Sequence, residues 1–298
     1  MRVAGVIVYL ALGGAVVGYI FFGRHDPRAG STTVSSPPAV AAALSFPAPP
    51  PGATVFAREA GADVVAAGVV QRAGRWDVQV SVVGAQGGGV PGLRVLIGSR
   101  TAAACGTGCY RAEVAPARPL PVTVSGHGLA LSWSVDMPAK TVPAAGLLEA
   151  AGRAWRGLHS LAWREVLGSD ATHVVRSRWR AEAPDRVAYS VSGGGAAVIV
   201  AGRRWDRRGP EGGWSETVQD PPIRQPRPFW AAVADAHVLE DRGDTEVVSF
   251  FDPRNSAWFR VELELRTKRT LRLDMYATAH FMHDAYVGFD GTTVTSPR

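Results

Sequence analysis

The most chemical stretch of this chain is His280-Phe281-Met282-His283. Imidazole with thioether is a ligand set suited to copper, and on a strand His280 and Met282 share one face while His283 points to the other. The competing reading is an ordinary strand end, because no third donor is identifiable from the spacing. A second cluster is Cys105-Gly106-Thr107-Gly108-Cys109. Two cysteines separated by flexible glycines can close a small ring, and a disulfide persists only in an oxidising compartment. A thioredoxin-like site would need Cys-x-x-Cys at the start of a helix, whereas Tyr110–Val114 reads as a strand, and a two-thiolate metal site has no nearby partners.

Nothing here names a reaction. The chain contains no Gly-x-Ser-x-Gly, His-Glu-x-x-His, P-loop or Rossmann fingerprint. Gly87-Gly88-Gly89 and Gly193-Gly194-Gly195 read as hairpin turns, since neither leads a helix that could cradle phosphate. The carboxylates of Asp185, Asp206, Glu240, Asp241 and Asp252 lie beside turns or arginines and read as solvated charges. The expectation is therefore a protein that is not an enzyme. What the chain has in quantity is aromatic surface: seven of its nine tryptophans lie from Trp155 onward. Large flat side chains can line a lipid pocket. The candidates are Trp155, Phe229 and Trp230 on covering helices, with Leu273, Met275 and Phe281 on the sheet beneath. The alternative is that they are simply core.

The elements that must carry these residues are legible in the patterning. From Trp258 to Arg266, Phe259, Val261, Leu263 and Leu265 alternate with polar residues, and Leu271, Leu273, Met275, Ala277, Ala279 and Phe281 repeat the pattern after a turn. Two adjacent strands, each apolar on one side, form a wall that something must cover. Upstream, Leu147, Ala151, Ala154, Trp155, Leu158, Leu161, Ala162 and Val166 recur at three- and four-residue spacings, which predicts an amphipathic helix ending near Gly168. Phe229, Val233, Ala236 and Val238 predict a second, shorter helix, and strands fill the space between. His237 falls on that helix, and His127 in a Gly-His-Gly turn.

Residues 53–138 read differently. Short strand candidates are separated by glycine or proline turns, with Trp76, Val78, Val80 and Val82 alternating against Asp77, Gln79 and Ser81. That spacing predicts an immunoglobulin-like β-sandwich. Residues 25–52 hold many prolines and small residues and read as an extended linker. In residues 1–24, Val3 to Gly23 form an uncharged run of 21 residues, which as a helix spans roughly 31 Å, close to the ~30 Å hydrocarbon core. The run ends without a small-x-small cleavage site, so it predicts an uncleaved single-pass anchor over a signal peptide. Arg2 faces Arg24 and Arg28, so basic flanks do not set its orientation; the cysteine pair points to an extracytoplasmic body on a cell membrane.

Composition is that of a globular chain: 298 residues, 46% hydrophobic, 19% charged, with formal net charge +6. All but two of its 32 basic residues, Lys140 and Lys268, are arginines. A basic surface favours anionic lipid head groups. No nucleic-acid partner is expected, because the arginines are interspersed with acids and no recognition motif is present.

Two resemblances follow. Trp76-Asp77-Val78-Gln79-Val80-Ser81-Val82 through Val90-Pro91-Gly92-Leu93-Arg94-Val95 resembles the small YtkA/CopC-like extracytoplasmic sandwiches that accompany bacterial copper-resistance and cytochrome-oxidase assembly proteins. Trp163-Arg164-Glu165-Val166-Leu167, Ala183-Pro184-Asp185-Arg186-Val187-Ala188-Tyr189, Gly202-Arg203-Arg204-Trp205-Asp206, Ala257-Trp258-Phe259-Arg260 and Met275 to His283 resemble the C-terminal domain of some bacterial copper-resistance-like membrane proteins. That domain is similar to the LolA/LppX group of lipoprotein carriers. For residues 147–298 the resemblance implies an antiparallel half-open β-barrel whose concave face is covered by helices. The expected class is thus mainly β with two helices (α+β). The expected function is non-catalytic binding of a lipid or lipoprotein acyl chain, without a cofactor. The alternatives are copper handling through His280 and Met282, and an envelope interaction or sensor module with a protein partner not named by the sequence.

Overall fold

The computed structural model describes residues 46–170, 173–278 and 280–297. The apolar run from Val3 to Gly23, and with it the expected membrane anchor, lies outside those residues. Among the described residues no helix is long and apolar enough to cross a membrane.

The first half consists of β1 (Thr54–Ala60), β2 (Asp63–Arg72), β3 (Arg75–Val83), β4 (Arg94–Ile97), β5 (Arg100–Thr101), β6 (Ala103–Gly106), β7 (Cys109–Val114), β8 (Leu120–Gly126) and β9 (Leu129–Val135). They form two antiparallel sheets, in the orders β1-β2-β3-β7-β6 and β5-β4-β8-β9. The alternation in β3 decides what each face meets. Trp76, Val78, Val80 and Val82 point into a core shared with Val95, Ile97, Val122 and Val124 of the other sheet. Asp77, Gln79 and Ser81 lie on the opposite face, yet they too are buried. Asp77 is covered by the guanidinium of Arg111, and Gln79 and Ser81 donate hydrogen bonds to the carbonyls of Ala48 and Pro47 at 2.7 and 2.6 Å. The end of the proline-rich stretch is therefore laid down on the sheet.

The second half begins with β10 (Val142–Pro143) and the helix α1 (Ala145–Arg156). Then come β11 (Ser160–Gly168), β12 (Val174–Glu182), β13 (Arg186–Val191), β14 (Ala196–Val200), β15 (Arg203–Arg207) and β16 (Ser215–Val218). The chain ends with β17 (Ala234–Asp241), β18 (Thr245–Asp252), β19 (Ala257–Glu264), β20 (Thr270–Ala277) and β21 (His280–Phe289). All twelve strands belong to one antiparallel sheet, ordered β10-β17-β18-β19-β20-β21-β11-β12-β13-β14-β15-β16. The closing contact is β11 with β21, which brings the start and the end of this half together.

The expected α+β class needs correcting. The described chain is mostly β with one short helix, and the large sheet ends at β10 and β16 without closing into a barrel. The long helix predicted over Leu147–Gly168 stops at Arg156. The N–H of Gly157 bonds back to the carbonyls of Arg153 and Ala154, and Arg153 and Arg156 sit favourably at the negative end of the helix dipole. Beyond it, Leu161, Trp163, Glu165 and Leu167 alternate as a strand. Leu158, Leu161 and Ala162 fit helical spacing as well as strand spacing, so the period was ambiguous over that stretch. The second predicted helix does not form. Residues 219–233, in which Pro221, Pro222, Pro226 and Pro228 withhold donors and fix φ, run without helix or strand, and from Ala234 pairing with β18 takes the chain into the sheet. Ala236 and Val238 then alternate as β17.

The two halves touch. Val55, Val64 and Ala66 of the first share a cluster with Phe251, Trp258 and Phe281 of the second. Phe46 stacks on Phe251 and Trp258 with ring centroids 5.9 and 5.3 Å apart.

Candidate functional site

One face of the twelve-stranded sheet, called the inner face here, is an aromatic floor. Trp163 of β11 stacks on Trp179 of β12 at 5.5 Å, and Trp179 on Tyr189 of β13 at 4.4 Å. Phe250 and Phe259 stack at 5.0 Å on β18 and β19. The cover is made of two pieces. From α1, Leu148, Ala151 and Trp155 are buried, and from the proline-rich segment come Ile223, Phe229 and Trp230. Trp155 lies edge-on to Phe229, Trp230 and Tyr286 at 6.0, 5.6 and 5.0 Å. Asp252, fully buried, pins the segment by accepting the N–H of Ala231 at 2.7 Å on one oxygen and that of Arg254 at 2.9 Å on the other.

The structure therefore brings together Trp155, Phe229, Trp230, Leu273 and Met275. Phe281 lies on the opposite face with Phe251 and Trp258. The assembled five are a packed interior: the cavity beside Trp155, Thr270 and Tyr286 has a volume of about 10 Å³, room for about one water. Such a water has partners waiting, since the indole N–H of Trp155 and the hydroxyl of Thr270 are buried without a hydrogen bond.

Sequence reasoning missed two residues on this face. Glu165 and Asp284 are directly opposite each other on β11 and β21, and both are buried. Ser177 and the Trp179 indole donate to Glu165 Oε1 at 2.9 and 3.1 Å. The Tyr286 hydroxyl donates to Asp284 Oδ2 at 2.9 Å, and Asp284 Oδ1 has no partner. Burial pushes the Glu165 carboxyl upward against those two hydrogen bonds. Burial, then the charge of Glu165, pushes Asp284 well above the usual carboxylate range. In two carboxyls so placed, the charge of one disfavours ionisation of the other. The available signal was the alternation Met282, Asp284, Tyr286 and Trp163, Glu165, Leu167; the second was hidden while that stretch read as helix.

The open space lies on the other, outer face. A cleft of about 480 Å³ separates β1 and the end of β9 from β17–β20. Val55, Phe56, Trp133, Met137, Leu239 and Tyr276 supply its apolar lining, and Asp136, Glu240 and Arg260 its charges. Arg260 holds Glu240 at 3.0 Å and Asp274 at 3.5 Å. Ser249 also lines this cleft, and its hydroxyl is buried without a hydrogen-bond partner.

The copper candidates do not converge. Met282 is in the inner core. His283 lies on the outer face, its Nδ1 2.9 Å from Asp274, which raises its pKa chiefly through that hydrogen bond. His280 Nδ1 is 2.8 Å from the carbonyl of Thr278. Among the described residues no group of three or more His, Cys, Asp or Glu is placed to hold a metal ion. Cys105 and Cys109 form a disulfide. His237 is a buried strand residue, its pKa lowered chiefly by burial, and His127 sits in a turn at φ 51°. Of the carboxylates read as solvated, Asp252 is the exception already described.

No family model and no curated protein matches this chain. Among solved structures, a LolA superfamily protein from Nitrosomonas europaea is similar at 11% identity, over 52% of this chain and 96% of that one, with a TM-score of 0.24. A score this low identifies no shared site.

Proposed function

We propose that this chain is a non-catalytic, extracytoplasmic binding protein that takes a ligand with an apolar body and a polar end, of the kind a lipid acyl chain presents, in the cleft between its two halves. The observation that carries this is the cleft itself. Its volume of about 480 Å³ falls in the range of ligand pockets, roughly 300–1,000 Å³, which concentrate at such junctions. Its walls combine the apolar side chains of Val55, Phe56, Trp133, Met137, Leu239 and Tyr276 with the charges of Asp136, Glu240 and Arg260, and the orphaned Ser249 hydroxyl offers a further polar contact. The Cys105–Cys109 disulfide supports the extracytoplasmic setting. The inner aromatic face is the scaffold in this reading, since its space is already filled.

The test is binding of a long-chain fatty acid, followed by tryptophan fluorescence and by native mass spectrometry of the protein as purified. Ala57→Trp, which fills the cleft, is expected to abolish the bound mass and weaken titrated binding at least tenfold, with Trp230→Ala leaving both in place. The opposite pattern would move the site to the inner face, and no bound mass in the parent would end the proposal.

A further inference from the structure

A second feature of the outer face lies over β11–β15, away from the cleft. A shallow groove of about 470 Å³ is lined there by Arg164, Arg178, Arg180 and Arg207, with no acidic side chain among its lining. Arg164 and Arg178 are directly opposite each other on adjacent strands. Like charges in that position repel and weaken the pairing. Neither they nor Arg180 forms an ion pair among the described residues, and all three are exposed, whereas the neighbouring Arg186, Arg203 and Arg204 are each paired to a carboxylate. Arg207 lies over the Trp214 ring at 5.0 Å, and its Nε is buried without a partner. Between the arginines the surface is apolar: Val287 is 58% exposed.

We propose that this groove docks the protein on a bilayer surface rich in anionic phospholipid, the arginines engaging phosphate oxygens while Val287 and Trp214 meet the interfacial layer. Guanidinium suits this partner because its planar fork pairs with phosphate through two parallel hydrogen bonds. Indole and aliphatic side chains favour the interface beside the head groups. A surface that gathers unpaired arginines at a cost to strand pairing has charge complementarity to a polyanion, and the exposed apolar element selects a lipid surface over a solvated one. This holds whatever the cleft binds.

The experiment is flotation of the full chain with vesicles of phosphatidylcholine alone, and with vesicles in which phosphatidylglycerol replaces part of it. Binding to the former sets the charge-independent background. The increment due to phosphatidylglycerol is expected to fall on the order of a hundredfold in the triple variant Arg164→Gln, Arg178→Gln, Arg180→Gln, since each arginine near an anionic surface contributes about fivefold. A control with the same charge change in the first half, Arg72→Gln, Arg94→Gln, Arg100→Gln, is expected to keep most of the increment. Val287→Asp alone is expected to reduce it. Equal loss in both triple variants would reduce the effect to net charge and overturn the proposal, as would an unchanged increment in the first. Displacement by millimolar inorganic phosphate at constant ionic strength would reassign the groove to a free anion. The like-charge pair supplies a check on folding: removing Arg164 or Arg178 is expected to leave the melting temperature unchanged or higher.

Discussion

Asp284 carries the most consequential side chain of the inner face, with one oxygen on the Tyr286 hydroxyl, the other unpartnered, and Glu165 across the strand pair. Both carboxyls have folded pKa values above their unfolded ones. A raised pKa means the folded state binds the proton more tightly, so the pair stabilises the fold fully below the ordinary carboxylate range. That contribution is lost as pH rises through the raised values. Thermal melts between pH 4 and pH 9, about the range over which a strongly raised carboxyl titrates, should therefore show the melting temperature falling as pH rises. Asp284→Asn should flatten the profile and stabilise the protein at the alkaline end by roughly 1–3 kcal/mol, the cost of a buried group left unsatisfied. A profile with the same slope in the variant would show that the pair is ionised and solvated. His283 adds a second step of the same sign, because Asp274 raises its pKa: its contribution is present below the ordinary histidine value and fades as pH rises above it. Asp274→Asn should remove that step and also ease the carboxyl step, because the Asp274 charge helps to raise Asp284.

At the scale of elements, the cover of the aromatic face depends on a segment without helix or strand, held by buried Ile223 and Trp230, by the Gln219 and Gln225 N–H groups on the carbonyls of Gly202 and Pro184, and by Asp252 through Ala231. Asp252→Ala removes acceptors for Ala231, Arg254 and Asn255, and should cost at least about 1.5–3 kcal/mol. Amide hydrogen exchange should rise first in residues 219–233. Uniform acceleration throughout the second half would instead mean that the segment opens only with global unfolding. In the first half, the turn at Gly89 lies against the disulfide hairpin, where an added Cβ would sit 2.0 Å from the Thr107 carbonyl oxygen. Gly89→Ala should therefore destabilise by about 1–3 kcal/mol or more, as overpacking does. Gly146→Ala is the contrasting case. That position lies in α1 with nothing within 4 Å of a Cβ, so helix propensity should give a gain of up to about 1 kcal/mol. Urea titrations of the two variants would read both signs.

At the scale of the molecule, the two halves are joined by an apolar contact with Trp258 at its centre, buried against Phe46, Val55 and Phe251. A junction of this kind couples the halves and shapes the cleft beside it. Trp258→Ala should cost roughly 3–5 kcal/mol and split the calorimetric unfolding into two transitions. A single transition, merely shifted, would show that the halves remain one cooperative unit without it. The same variant should weaken fatty-acid binding, because Trp258 also lines the cleft.

How much of this was legible in residue order follows from the range of each interaction. Alternation in β3, β19 and β20 was readable because a strand's two faces are set by neighbours two residues apart. The cysteine pair was readable because its members stand only four positions apart. Leu158–Val166 could not be phased, since its apolar residues fit both periods and only the pairing of Ser160–Gly168 with β12 and β21 makes the stretch a strand. Phe229 to Val238 misled for the same reason: spacing compatible with a helix cannot show that Ala236 and Val238 are taken up by the sheet, as β17 between β10 and β18. The site was harder still. Asp284 and Glu165 are more than a hundred residues apart, and only the pairing of β21 with β11 makes them neighbours. The cleft, the orphaned Ser249 and the row of unpaired arginines are likewise products of which sheet faces which. Sequence alone determined the strand-rich character, the apolar faces and the disulfide, which are local. Tertiary structure alone decided which aromatics became filler and which surfaces stayed open, because burial depends on what the rest of the chain brings to each face.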